Sequence, residues 1–327
     1  MFVLILVLLT GFWLWPVGAQ VAKPAGPPLP EVHFPYFPVP QGLTFCGDPV
    51  PQQDPEVQEA LDREFTNVIW NRANTIMWLK RANRYFPDII HKLRAQNLPT
   101  DLKYVVLIES DLRLKARSPA GALGPWQFMQ PTAQRFQLKT GEAVDDRLDV
   151  GASTDAALRY LAILHRQFGS WPLALAAYNY GEGRIQKAMA EQGVRDYYHL
   201  SLPEETERYV PRLIAAKSVM ENPAAYGFDI PMEELHRPLE KDEADVVLAQ
   251  EVPLRRLAEA AGTYVKTLKN LNPWIRGMNL PGGSYRLALP RGSGSRFLEA
   301  YRQGKLAGGP GTAPGTPPLP NSQPPVR

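Results

Sequence analysis

Residues 104–111 read YVVLIESD. Four apolar residues, Val105 to Ile108, run directly into Glu109. Upstream, Thr100 or Asp101 can act as an N-cap, and Leu102, Val105 and Val106 stand at i−7, i−4 and i−3 from Glu109. On an α-helix those positions share one face. The spacing predicts a helix over LPTDLKYVVLIES with Glu109 on its buried side. Ser118-Pro119 and the glycines that follow cannot continue a helix, so Glu109 falls near the C-terminal end. Burial and the negative end of the helix dipole both disfavour the ionised carboxylate and raise its pKa. A carboxyl protonated near neutral pH has what a general acid needs. The alternative is a structural Glu paired with Arg113 or Arg117. Asp111, two steps along, points to another face and reads as solvated or structural.

Outward from this helix the pattern stays helical. VQEALDREFTNVIWNRANTIMWLKRANRYF carries Val57, Leu61, Phe65, Val68 and Ile69 at helical spacing. Pro87 is expected to end that run, with DIIHKLRAQNL starting another helix. KARSPAGALGP (115–125) holds turn residues and leads into a short helix at WQFMQPTAQRFQL. DVGASTDAALRYLAILHRQF is strongly amphipathic. WPLALAAYNYGEGRIQKAMAEQG breaks near Gly181, and ETERYVPRLIAAKSVMENP closes the set. Residues 56–228 therefore read as one mainly helical domain. After a charged connection, residues 245–291 read strand, helix, helix, strand, with turn signals at Asn272-Pro273 and Pro281-Gly282-Gly283.

The ends differ in texture. The chain has 327 residues and 33 prolines, and the prolines crowd 24–55 and 310–325. Residues 20–55 read as a Pro-rich linker or arm, and 306–327 as a disordered Pro/Gly-rich tail. Residues 2–19 are apolar apart from Thr10, and Val17-Gly18-Ala19 resembles a small-residue cleavage site, although no Lys or Arg precedes Lys23. The segment reads as an export signal or as an uncleaved anchor that would associate the chain with a membrane. Either reading places the rest in the periplasm or cell envelope. The single cysteine, Cys46, can form no internal disulfide and reads as a solitary residue at the end of the linker. A net charge of +3 with no basic block argues against nucleic acid and tolerates an anionic polymer. His33, His91, His165, His199 and His236 are scattered without i, i+4 pairing, so no metal site is expected.

Small residues at 116–124 would let a polymer approach the backbone closely. Aromatic and amide groups beside them would suit sugar rings. Glu109-Ser110, SPAGALGPWQFMQPTA (118–133), AYNYGEGRI (177–185) and ETERYVPRLIA (205–215) occur in one order and spacing. Together they resemble the lytic transglycosylases of glycoside hydrolase family 23 over roughly residues 55–225. The resemblance implies an α+β, lysozyme-like catalytic domain acting on peptidoglycan glycan strands without a cofactor. It puts the single catalytic acid/base on Glu109. It puts a loop serine beside the reacting sugar on Ser118, groove-lining residues on Gln127 and Met129, a Tyr-Asn pair on Tyr178 and Asn179, and the tyrosine that steadies the acid on Tyr209. Pro125 departs from the family's usual Leu. Gln130-Pro131 keeps the general Met-Gln pattern but departs from the Met-Pro of nearer relatives. The 245–291 unit resembles a divergent LysM module, a βααβ fold that binds N-acetylglucosamine polymers. In the family the acid protonates the oxygen between N-acetylmuramic acid and N-acetylglucosamine, and the C6 hydroxyl closes a 1,6-anhydro ring. Two other readings compete: a muramidase that uses water, and a non-catalytic peptidoglycan-binding protein.

Overall fold

The structure, a computed structural model, describes residues 35–306. The expected export segment at 1–19, residues 20–34 of the Pro-rich stretch and the tail from 307 lie outside the described residues. The described part is mainly α-helical, with three two-stranded sheets. Residues 37–306 belong to one compact unit, and its buried apolar side chains form two clusters.

The first cluster is built by helices. A hairpin of β1 (Thr44–Phe45) and β2 (Asp48–Pro49) precedes α1 (Pro55–Trp70) and α2 (Arg72–Ala95). The hairpin corrects the reading of residues 35–55 as a linker: Val39, Phe45 and Val50 are buried against the helices. Cys46 sits in the hairpin turn at φ 54°, and its N–H donates to Asp101 Oδ2 at 2.8 Å. Asp54 caps α1 by accepting from Glu56 N at 2.9 Å, with Pro55 at the first helical position, where its missing N–H costs nothing. The stripe Val57, Leu61, Phe65, Val68 and Ile69 is buried as its spacing predicts.

The break expected at Pro87 falls instead at Asn71, and Pro87 lies inside α2. Asn71 leaves helical geometry at ψ 57°, and Thr75 Oγ1 donates to the Val68 carbonyl at 2.5 Å. The α2 stripe Trp78, Ala82, Phe86, Ile89 and Leu93 continues through Pro87 without a change of face. Burying five such side chains outweighs the cost of a helical proline, about 3 kcal/mol.

Helix α3 (Lys103–Ser110) follows a short 3-10 turn at Thr100–Leu102. Neither Thr100 nor Asp101 caps it. Asp101 is occupied elsewhere, by Lys217 Nζ at 2.7 Å and the Cys46 amide. The loop to α4 (Gln130–Arg135) keeps Trp126 to Met129 outside the helix, so the helix begins four residues later than Trp126. Then come α5 (Val150–Phe168), α6 (Trp171–Tyr180), α7 (Glu182–Gln192), α8 (Glu204–Glu207) and α9 (Tyr209–Glu221). Helix α6 buries Trp171 to Ala177 on all sides, and α9 buries Tyr209, Val210, Leu213 to Ala216 and Val219. They form the centre of this cluster, and α3 packs on α9. Glu64, buried on α1, accepts from Arg208 Nε at 2.7 Å and lies 3.4 Å from Arg212 Nε, tying α1 to α9.

The second cluster surrounds β3 (Lys241–Leu248), β4 (Val252–Pro253), α10 (Leu254–Ala260), α11 (Val265–Leu271), β5 (Asn279–Leu280) and β6 (Gly283–Pro290). β3 and β6 are antiparallel, with Asp245 opposite Arg286. Alternation points Ala244, Val246 and Leu248 inward with Leu287 and Leu289. Asn272 does more than mark a turn: Nδ2 donates to Leu268 O and Ala288 O, and Oδ1 accepts from Ala288 N, so it joins α11 to β6. The unit reaches past residue 291. Helix α12 (Gly294–Arg302) packs on β3, and Phe297 and Leu306 are buried in the cluster.

Phe297→Ala should therefore destabilise this cluster by about 3–5 kcal/mol. Urea dependence of hydrogen exchange at the β3 and β6 amides checks this; an unchanged midpoint would mean α12 is an ornament.

Candidate active site

Glu109 lies on the last turn of α3. Two residues on, Asp111 ends the helix in left-handed geometry at φ 54°, its N–H donating to Leu107 O at 2.8 Å. The Asp111 carboxylate accepts from Trp78 Nε1 at 2.7 Å and Asn74 Nδ2 at 3.1 Å. It is a structural acid fastening α3 to α2. Arg113 lies 3.5 Å from Asp111, and none of the ion pairs among the described residues involves Glu109. The alternative of a Glu salt-bridged to Arg113 or Arg117 is therefore not what forms.

Glu109 instead accepts from the Tyr209 hydroxyl at 2.5 Å. Tyr209 is buried at the start of α9, which fixes where that hydroxyl sits. Burial pushes the Glu109 carboxyl up to about 7; the Tyr209 bond pulls it down, nearby Glu205 raises it, and Arg212 lowers it. Desolvation is the largest of these effects, although Glu109 is half-buried and keeps an edge toward solvent. Tyr178 and Tyr209 are themselves held well above the ordinary tyrosine value, by burial first and by the Glu109 charge second. Glu109, Tyr178 and Tyr209 thus share one electrostatic neighbourhood.

The other expected residues first hold local structure. The 116–128 loop folds back on itself through Gly124 N to Ala116 O at 2.9 Å and Leu123 N to Phe128 O at 3.1 Å. Ser118 Oγ accepts from Ala122 N at 3.0 Å. Gln127, at φ 49°, donates from Nε2 to Gly124 O at 2.7 Å and Ala116 O at 3.1 Å. Tyr178 donates to Trp126 O at 2.8 Å, linking α6 to the loop. Trp126 is fully buried, with Nε1 donating to Thr154 Oγ1 at 2.9 Å. Asn179 Oδ1 accepts from Thr206 Oγ1 at 2.9 Å, so it faces α8. Met129, 43% exposed, is the loop's large apolar surface. Phe128, Phe136, Tyr160 and Tyr178 form a ring-packed layer with centroids 5.0–6.4 Å apart.

A cavity of about 320 Å³ adjoins the end of α3, walled by Asn71, Asn74, Trp78, Ile108, Arg208 and Arg212, among others. A wider groove of about 810 Å³ runs between α2, the start of α5 and the β3–β6 sheet, and Glu109, Tyr178 and Tyr209 are absent from the walls of both. Among the described residues no group of three or more His, Cys, Asp or Glu is placed to hold a metal ion.

Several residues that shape the site carry no sequence signal. Gly124, at φ 85°, lies so close to the Arg147 carbonyl oxygen that any Cβ would overlap it. Arg147 and Asp145 are buried as a pair at 2.7 Å. In VDDRLD they cannot be told from a solvated charge run. Arg212 reads as one more surface cation on α9.

Comparison with known proteins places these features in context. The family model described as "Transglycosylase SLT domain" matches residues 89–201. Membrane-bound lytic murein transglycosylase D of Escherichia coli K12 is 32% identical over 272 residues, 80% of this chain and 58% of that protein. The chain thus spans somewhat over half the length of that relative. Peptidoglycan transglycosylase gp16 of Escherichia phage T7 is 35% identical over 122 residues, 36% of this chain and 9% of that protein. Among solved structures, the 70 kDa soluble lytic transglycosylase of Escherichia coli aligns with a TM-score of 0.38 at 22% identity, covering 56% of this chain and 33% of that one.

The raised carboxyl has a stability signature. Between its ordinary value of 4.5 and about 7, the folded chain binds more protons than the unfolded chain, so stability falls as pH rises through that window. Relative to the parent, Glu109→Gln should gain on the order of 2 kcal/mol between pH 4.5 and pH 8. Parallel urea titrations at the two pH values test this; a constant offset would mean the carboxyl is not desolvated.

Proposed function

We propose that the chain is a peptidoglycan lytic transglycosylase of the glycoside hydrolase family 23 type, with Glu109 as its single acid and then base. The observation that carries this reading is a carboxyl pushed up to about 7 and bonded to a buried tyrosine. Tyr178, which feels the Glu109 charge, bonds to the small-residue 116–128 loop, and residues 89–201 match the transglycosylase domain. An ordinary glycosidase needs two carboxylates. Here the nearby acids are engaged otherwise: Asp111 with Trp78 and Asn74, Glu205 with Arg212 at 3.2 Å, and Glu182 with Tyr160 at 2.9 Å and Arg135 at 2.7 Å.

The chemistry follows from one group used twice. Protonated Glu109 gives its proton to the oxygen joining N-acetylmuramic acid to N-acetylglucosamine, and the C1–O bond breaks. The muramic acetamido group supports the developing charge at C1. Glu109, now ionised and accepting from Tyr209, takes the proton of the C6 hydroxyl as that oxygen bonds to C1. The proton returns to Glu109, no water is consumed, and the products are a free N-acetylglucosamine hydroxyl and a 1,6-anhydro end. In this reading Ser118, Gln127, Met129, Tyr178 and Asn179 line the sugar path. The β3–β6 unit acts as a LysM-like module for N-acetylglucosamine polymers, and the chain works in the cell envelope. None of the helices among the described residues is long and apolar enough to cross a membrane.

Mass spectrometry of soluble products from purified cell wall tests the reading. Muropeptides lighter by one water and without a reducible end are expected. Reducing ends would make the protein a muramidase; no product from protein that still pellets with the wall would make it a binder. Glu109→Gln should lower turnover by about 100-fold or more.

The pH profile gives an independent check. Activity should fall as pH rises through about 7, because the acid loses its proton. Tyr209→Phe removes the bond that favours the carboxylate, so it should move this limb to higher pH while lowering kcat. A limb that stays in place would mean that Tyr209 does not act on the reacting carboxyl.

A further inference from the structure

Arg147 holds the 116–128 loop from outside it. Its guanidinium is paired with Asp145 through Nε at 2.9 Å and NH2 at 2.7 Å. NH1 donates to Phe128 O at 3.2 Å and reaches Gly121 O at 3.4 Å. The Arg147 main-chain oxygen occupies the space that the missing Cβ of Gly124 leaves. One residue thus touches the loop at three places.

Asp145 faces the other way. Its N–H donates to Trp274 O at 2.9 Å, and Arg276 NH1 lies 3.8 Å from its Oδ2. Val144 bridges to Ile275, Arg276 N donates to Ala143 O at 2.9 Å, and Arg276 NH1 donates to Gly141 O at 3.0 Å. Leu148, next to Arg147, buries its side chain in the second cluster. The short run 143–148 therefore joins residues 274–277 of the C-terminal unit to the loop that carries Ser118, Gln127 and Met129.

We propose that Asp145–Arg147 is a positioning pair through which the 274–277 segment sets the geometry of the 116–128 loop. A buried charge cannot part from its partner without being left uncompensated, so the two side chains move as one body. The planar guanidinium fixes the direction of every bond it makes, which a flexible ammonium would not. A shift of 143–146 against Trp274 must then appear at the Gly121 and Phe128 carbonyls. The C-terminal unit is, on this view, part of the catalytic unit's working geometry and not a separate tether. The effect on turnover rests on the transglycosylase reading; the effect on loop mobility does not.

Hydrogen–deuterium exchange of the full chain, read by mass spectrometry over 116–128, tests the proposal. Arg276→Ala removes a partly exposed side chain and leaves the buried pair intact, while Arg147→Lys keeps the charge and loses the fork. Both should speed exchange of the Leu123, Gly124 and Gln127 amides, by about tenfold for Arg147→Lys, with α6 and α9 unchanged. On cell wall, KM should rise more than kcat falls, and the limb near pH 7 should not move, because neither side chain touches Glu109. Parental exchange of the loop in both variants would overturn the proposal. If Arg147→Lys does not fold, Arg276→Ala decides alone. A parent chain with no turnover on cell wall, whose loop still loosens in the variants, would defeat the transglycosylase reading and leave the positioning role standing.

Discussion

A carboxyl that keeps its proton up to about pH 7 depends on surroundings that do not relax. Water entering beside Glu109, or a cation swinging within reach, would return it to an ordinary acid. The bond from Tyr209 therefore matters less for its own strength than for what it requires. A buried phenol at the head of α9 must meet the last turn of α3, and both helices must be fixed against α1, α2 and α6. Glu64 between Arg208 and Arg212, and Asp111 under Trp78 and Asn74, are the fasteners that do this. Each is a polar group satisfied by named partners, which is what makes its burial tolerable.

The placement of Glu109 was legible because helical spacing is a strong local signal. Val105 and Val106 define a face, and the glycines beyond Ser118 define an end. The same signal served α1, α5, α6 and α9. It failed where a tertiary contact overrode a local preference. Pro87 is a helix breaker by its own chemistry, yet it lies within α2 because the apolar stripe from Trp78 to Leu93 is worth more than one lost bond. Asp101 is a good cap by type, yet Lys217 and the Cys46 amide hold it elsewhere. Composition misjudged the described part of the Pro-rich stretch, because proline content does not reveal that Phe45 finds a socket among helices.

Within the site, the family resemblance implies roles that geometry complicates. Gln127, Ser118 and Tyr178 were singled out for contact with sugar. All three also spend hydrogen bonds on the 116–128 loop, so their substitution would disturb shape as well as contact. Arg147 and Asp145 were invisible for the opposite reason. Nothing in a run of two acids and an arginine distinguishes a solvated surface from a buried, bidentate pair, since the difference lies wholly in what the rest of the chain places around them.

Gly124 has a consequence in evolutionary terms. Its Cα faces the carbonyl of Arg147 with no room for a methyl group, and its backbone lies where side-chain-bearing residues are strained. No single replacement can be accommodated by a rotamer change, because the obstacle is main chain. A lineage could leave glycine here only by moving the Arg147 backbone in the same step. The loop and the Asp145–Arg147 run are thus bound to drift together or not at all, a coupling between distant positions that arises from the absence of one carbon atom.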